Sequence, residues 1–201
     1  MKQILTYVLL AGIALTLLVM AIGADRFRLP GDQQGYEPDQ PIAYSHRLHA
    51  GELGIDCQYC HSGAERSRYA GIPAVSTCLN CHKFVTSTWG AVQEEDKRAT
   101  AEKRAPRKIV SPEIAKLYTG RPIAWNRIHR LPDFVYFDHR PHIYAGVECQ
   151  TCHGAVETMD KVRQVSPLTM GWCVNCHRDV SSNGLGGKAV HAATDCANCH
   201  Y

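Results

Sequence analysis

The sequence predicts a mostly α-helical and irregular fold, built from two related modules with a C-terminal extension and tethered by one N-terminal transmembrane helix. Three observations predict it. Residues 3 to 24 carry no charge, and Ile4 to Ile22 is dominated by Leu, Ile, Val, Ala and Met. All ten cysteines fall in five Cys-x-x-Cys-His units, and four of those units sit in segments that repeat one another in pairs. Only four Phe and three Trp occur in 201 residues, so side chains alone would build a poor core.

Residues 1–24 are expected to form the anchor. The apolar run is long enough to span a bilayer and longer than the apolar region of an ordinary signal peptide. Ala21-Ile22-Gly23 resembles a small-residue processing site, which is the competing reading; a retained anchor is expected. Lys2 precedes the run while Asp25, Arg26 and Arg28 follow it, so flanking charge orients the helix only weakly. Residues 25–43, with Pro30, Pro38 and Pro41, read as an extended connector.

The remainder, 44–201, divides by an internal repeat. Tyr44-Ser45-His46-x-x-His49 leads through Gly51 to Asp56-Cys57-Gln58-x-Cys60-His61, and Phe137-Asp138-His139-x-x-His142 leads through Gly146 to Glu148-Cys149-Gln150-x-Cys152-His153. The match continues at the next unit of each half, Cys78-Leu79-Asn80-Cys81-His82-Lys83 against Cys173-Val174-Asn175-Cys176-His177-Arg178. Two modules follow, 44–88 and 134–182, separated by an insert at 89–133 and extended by 183–201, which carries Cys196, Cys199 and His200. The insert is dense in charge over 93–108, with Lys97, Arg98, Lys103, Arg104, Arg107 and Lys108 against acidic residues at 94–96. It reads first as a solvated helix or loop, and second as a docking surface for a partner subunit or acidic lipid headgroups. Ser111-Pro112-Glu113 opens a helix, with Ser as cap and Pro in the first turn, that should run to about Tyr118 and stop before Gly120.

The five units, here sites 1 to 5 in chain order, have the spacing of covalent haem attachment. The two thiols add across the two vinyl groups of one porphyrin, and the adjacent histidine reaches the iron from the same side. Residue frequencies alone would produce about 0.03 such pentapeptides, so five with no cysteine left over are not chance. Zinc needs four protein ligands per ion and no histidine directly after the second cysteine, and five pairs would leave one unmatched. Disulfide redox motifs belong to a different context. The expected cofactors are therefore five covalently bound haem c, with His61, His82, His153, His177 and His200 as proximal ligands. Attachment of haem c takes place outside the cytoplasmic membrane, so residues beyond about 25 are expected on the periplasmic side of the inner membrane, in a single-pass protein.

Haems that only carry electrons have a second axial ligand. His46, His49, His139 and His142 recur at equivalent points of the repeat, and at i and i+3 on a helical turn the two rings share a face and can serve neighbouring haems. These four are the expected distal ligands. For the fifth, Met159 and Met170 lie outside the anchor, and a thioether raises reduction potential; His129 is the rival and His191 a further candidate. With every iron six-coordinate, the chain reads as an electron wire with no catalytic residues of its own, rather than a multihaem enzyme with an open iron. No altered unit such as Cys-x-x-Cys-Lys occurs. The formal charge of +3 does not point to nucleic acid: with ionised propionates the loaded protein would carry about −2 oxidised and about −7 reduced.

The segments YSHRLHAG, IDCQYCHSG, LPDFVYFDHRPH, GVECQTCHG, PLTMGWCVNCHR and TDCANCHY, in this order, resemble the pentahaem cytochrome c subunit of bacterial alternative complex III over most of residues 42–201, the N-terminal helix included. The resemblance implies electron transport from quinol oxidation to a soluble cytochrome c or a haem-copper oxidase. It implies partners in a respiratory membrane complex: an iron-sulfur subunit, a monohaem cytochrome c and polytopic quinol-binding subunits. It also implies mostly bis-histidine haems with at least one His/Met haem. The alternative is a stand-alone quinol dehydrogenase cytochrome feeding a periplasmic reductase; such proteins have Cys-x-x-Cys-His-x-Met at the first haem, where this chain has Ser62-Gly63 after His61.

Overall fold

The computed structural model describes residues 2–23 and 32–200. Met1, residues 24–31 and Tyr201 fall outside, so the expectations for the flanking charges and the start of the connector lie beyond the described residues. Among the described residues there is no strand; the backbone pairs only as isolated bridges at Val135–His200 and Leu185–Lys188. The mostly helical, irregular class is as expected.

Helix α1, Lys2–Gly23, is the apolar run. Its residues Gln3–Met20 are long and apolar enough to cross a membrane, and no other part of the protein covers them. Thr16 Oγ1 donates to the Gly12 carbonyl at 2.8 Å, which satisfies a hydroxyl within the helix itself where lipid would offer no partner.

The two halves of the repeat fold alike. In the first, His46 opens a π-helical turn, Arg47–Glu52, followed by the single turn α2, Cys57–Cys60, and the longer α3, Val75–His82. In the second, α6 (His139–Tyr144) is followed by the single turn α7 (Cys149–His153) and the longer α8 (Met170–Asn183). Local chemistry fixes the starts: the Asp56 carboxylate accepts from Gln58 N–H at 2.8 Å, the Asp138 carboxylate from Arg140 N–H at 2.9 Å, and Thr169 Oγ1 from Trp172 N–H at 3.3 Å. Helix α8 ends at Gly184, whose φ of +77° admits no side chain without strain.

In the insert, α4 spans Trp89–Ala101 and α5 spans Pro112–Leu117. The start of α5 follows the sequence: Ser111 Oγ accepts from Ile114 N–H at 3.3 Å, Pro112 occupies the first turn, Tyr118 caps the end and Gly120 has φ +69°. The charge-dense segment is folded onto itself rather than wholly solvated. Glu95 on α4 is 7% exposed and accepts from Arg104 at 2.5 Å and from Arg107 N–H at 2.9 Å. The Arg104 guanidinium, then the Arg107 N–H, holds the Glu95 carboxyl well below the carboxylate range, at about 2.

The modules meet where the π-helical turn packs on a short 3₁₀ turn, Val156–Thr158. Arg47 N–H donates to the Met159 carbonyl at 2.9 Å, and a Cβ on Gly51 would run into the Glu157 carbonyl. Elsewhere few elements pack directly, and the buried apolar side chains among the described residues are Ile42, Ala64, Ala99 and Leu117. The accessible surface is 14851 Å², where a packed monomer of 22.3 kDa exposes about 9,400 Å². Uncovered α1 contributes to the excess.

Candidate metal centres

Each Cys-x-x-Cys-His unit starts on a helical element: α2, α3, α7, α8 and a 3₁₀ turn at Cys196–Asn198. All ten cysteines are free thiols, and among the described residues no three His, Cys, Asp or Glu side chains converge on a point. The cysteine pairs thus do not combine into tetrahedral sets.

The histidines, in contrast, come together in facing pairs. The ring of His49 lies 6.1 Å from that of His82, His139 lies 6.4 Å from His153 with nearly parallel planes, and His142 lies 6.0 Å from His177. An imidazole nitrogen binds a transition metal at about 2.0 Å and its ring centre lies about 1.2 Å behind, so two coaxial imidazoles sharing one ion sit roughly 6.3 Å apart. All three separations match that requirement. For the remaining pair, burial, then the nearby His61 and His49, pushes His46 down to about 4. The second repeat thus pairs its first histidine with the short turn and its second with the longer helix, and the first repeat matches it at His49 and the longer helix.

The aromatic that leads each pair holds it in place. Tyr44 meets His46 edge-on at 4.8 Å and lies over His49 at 4.4 Å; Phe137 meets His139 edge-on at 4.9 Å and covers His142 at 4.8 Å. The tautomers are set by backbone carbonyls. Nδ1 of His49 reaches Ser45 O at 2.8 Å, and Nδ1 of His142 reaches Asp138 O at 2.8 Å. Likewise Nδ1 of His61 meets Gly71 O at 2.7 Å, of His82 Val85 O at 2.8 Å, of His139 Arg68 O at 2.9 Å, of His177 Ala193 O at 2.5 Å and of His200 Phe134 O at 3.4 Å. A proton on Nδ1 leaves Nε2 as the nitrogen available to a metal, the usual outer-shell arrangement of a ligating histidine. His46 differs: its buried Nδ1 has no hydrogen-bond partner among the described residues. His153 differs too, because its Nδ1 lies 3.2 Å from Nε2 of His129.

Several of the units adjoin one another in the fold. Sites 1 and 2 share the His46/His49 turn, and Asn80 donates to the Tyr59 hydroxyl at 3.1 Å between them. Burial raises the Cys60 thiol and the neighbouring Cys78 adds to it. Sites 1 and 3 meet at the module junction, where burial and then Cys57 raise the Cys149 thiol. One loop serves both: Gly71 O holds the His61 ring and Arg68 O holds the His139 ring. Sites 3 and 4 share α6, and burial followed by Cys176 pushes the Cys152 thiol to about 11. Sites 4 and 5 are joined through Ala193, which holds His177, and through Cys173, raised by burial and then by Cys199.

At site 5, Tyr136 N–H donates to Cys199 O at 2.8 Å and the His200 ring lies 5.8 Å from Phe134. Met170 opens α8 one turn before Cys173 and is 70% exposed. Met159 ends the 3₁₀ turn at the module junction, its carbonyl accepting from Arg47 N–H. His129 is engaged with His153, and His191 lies exposed in an irregular segment. Arg68 carried no signal in the sequence, yet it joins the modules: its guanidinium donates to Phe137 O at 3.0 Å and Val135 O at 3.4 Å and lies 4.1 Å above the Tyr136 ring.

Two comparisons bear on these centres. Residues 135–201 match the family model described as cytochrome c7 and related cytochrome c. The chain is similar to the protein named menaquinone reductase, multiheme cytochrome c subunit, of Nitratidesulfovibrio vulgaris (strain Hildenborough), at 26% identity over 184 residues, covering 82% of this chain and 78% of the relative. With its motifs on helical turns and no strand among the described residues, this mostly helical chain carries a multihaem cytochrome c domain, which implies covalently bound haem c.

Proposed function

We propose that the chain is a five-haem electron relay, anchored by α1 with residues beyond it on the periplasmic side, and part of an alternative complex III that passes electrons from quinol to a cytochrome c or a haem-copper oxidase. The observation that carries the reading is the set of histidine pairs at 6.0–6.4 Å, which at sites 2, 3 and 4 would fill both axial positions of a haem iron and favour electron transfer over substrate binding there. Haem c, when bound, supplies the one-electron iron couple and a large apolar ring.

The chain's own residues do the rest. The ten cysteines would attach the haems, His61, His82, His153, His177 and His200 would be the proximal iron ligands, and His46, His49, His139 and His142 the distal ones. Met170 would be the distal ligand at site 5: it lies one turn from Cys173 on α8, and Cys173 neighbours Cys199, whereas Met159 belongs to the module junction, where its carbonyl accepts from Arg47 N–H. Neutral, carbonyl-held imidazoles fix the ligand geometry, so little reorganises when charge passes. The relay order is 2–1–3–4–5, with sites 2 and 5 as its ends.

A second reading concerns direction. The relative is named as a menaquinone reductase, and a relay of this kind runs either way according to the potentials at its ends. The complex isolated from its membrane with this chain, assayed with a quinol plus oxidised cytochrome c and with a quinone plus reduced cytochrome c, separates the two. Quinol oxidation by the complex, and none by the purified chain alone, is the expected result. Faster quinone reduction would reverse the direction, and quinol oxidation by the chain alone would revive the stand-alone dehydrogenase.

A further inference from the structure

We propose that His129 is a positioning residue for site 3, taking the Nδ1 proton of His153 in a hydrogen bond and thereby making site 3 the most electron-rich of the bis-histidine sites. The proposal rests on His153 being an axial ligand. Of the proximal histidines His61, His82, His177 and His200, each turns Nδ1 to a backbone carbonyl. At His153 the partner is an imidazole nitrogen, with the two rings edge-on at 82° and 4.3 Å apart.

The donor and acceptor follow from the ligation. A metal on Nε2 of His153 leaves its proton on Nδ1, so His153 donates and Nε2 of His129 accepts. An imidazole nitrogen is a far stronger base than a peptide carbonyl. A ligand that donates to it gains anionic character, pushes more density onto the metal and favours the oxidised state.

The irregular segment that carries His129 is built to hold it. Gln40 Nε2 donates to Asn126 O at 3.0 Å while Asn126 N–H donates to Gln40 Oε1 at 2.9 Å, and Asn126 Nδ2 donates to Asp39 O at 2.6 Å. Arg127 Nε then donates to the carbonyl of His129 itself at 2.9 Å. The backbone is thus pinned on both sides of Arg127, and the ring has one place to go.

The test is a redox titration of the full haem-loaded protein, followed by EPR and absorbance, in wild type, His129→Leu and His129→Gln. Wild type carrying five covalent haems with low-spin signals upholds the relay reading; fewer haems would overturn that reading, not merely this inference. In His129→Leu one midpoint should rise by about a tenfold change in the ferric-to-ferrous ratio, about 59 mV for a one-electron couple, with the other four unmoved. His129→Gln keeps an acceptor oxygen and should give a smaller rise at the same site. Five unchanged midpoints in a fully loaded His129→Leu protein would overturn the proposal. So would a new high-spin signal, which would make His129 an axial ligand. If His129→Leu fails to load, His129→Gln decides: an unchanged set of midpoints there overturns it equally.

Discussion

His139→Ala should convert one of five low-spin ferric sites to a high-spin form while all five haems remain attached. His139 faces His153 at 6.4 Å, and its ring is aimed by two bonds to one carbonyl: Arg68 O accepts from its Nδ1 at 2.9 Å and from its backbone N–H at 3.3 Å. Removing the side chain takes away the distal base without touching Cys149, Cys152 or His153, so attachment and proximal ligation persist. The change should appear as a high-spin EPR signal of about one iron in five, and added imidazole should return it to low spin. Because site 3 lies in the middle of the proposed order, the same variant should slow electron passage from end to end more than an equivalent loss at site 2. An unaltered low-spin spectrum would mean that His139 is not a ligand.

Met170→Leu should abolish the near-infrared sulfur-to-iron band and lower the midpoint of one site, whereas Met159→Leu should do neither. A thioether favours ferrous iron, so its loss should shift the equilibrium toward ferric by at least about tenfold, or about 59 mV for one electron. The argument for Met170 is positional. It shares a face of α8 with Cys173 at i+3, and Cys173 neighbours Cys199 of the fifth unit. Loss of the band in Met159→Leu instead would require the 3₁₀ turn at the module junction to serve a site other than the two it adjoins.

Much of this was readable from residue types. The five Cys-x-x-Cys-His units are chemistry written in side chains at fixed spacing, and the repeat is equally explicit: Tyr44 and Phe137 stand in the same relation to their histidine pairs in sequence and, within a few tenths of an ångström, in space. The cap at Ser111 and the stop at Gly120 are local rules that tertiary packing left intact. What escaped the sequence depends on backbone or on folding. The carbonyls of Gly71, Val85 and Ala193 that set tautomers belong to residues whose side chains say nothing about that role. The charge run hid Glu95, because an acid among many charges reads as solvated until Arg104 and Arg107 close over it. His129 was visible as a spare histidine, but only the fold brings it to His153. The proposed order of the sites rests on the junction where Gly51 meets Glu157 and the 68–71 loop reaches both halves.

The most direct test of the relay is an experimental structure of the haem-loaded protein with its irons located by anomalous scattering. Four irons should lie midway between His46 and His61, His49 and His82, His139 and His153, and His142 and His177, with the fifth between His200 and Met170. Traced from neighbour to neighbour they should run 2–1–3–4–5 without a branch. An iron with an open sixth position, or sites 1 and 3 found apart from one another, would contradict the closed wire.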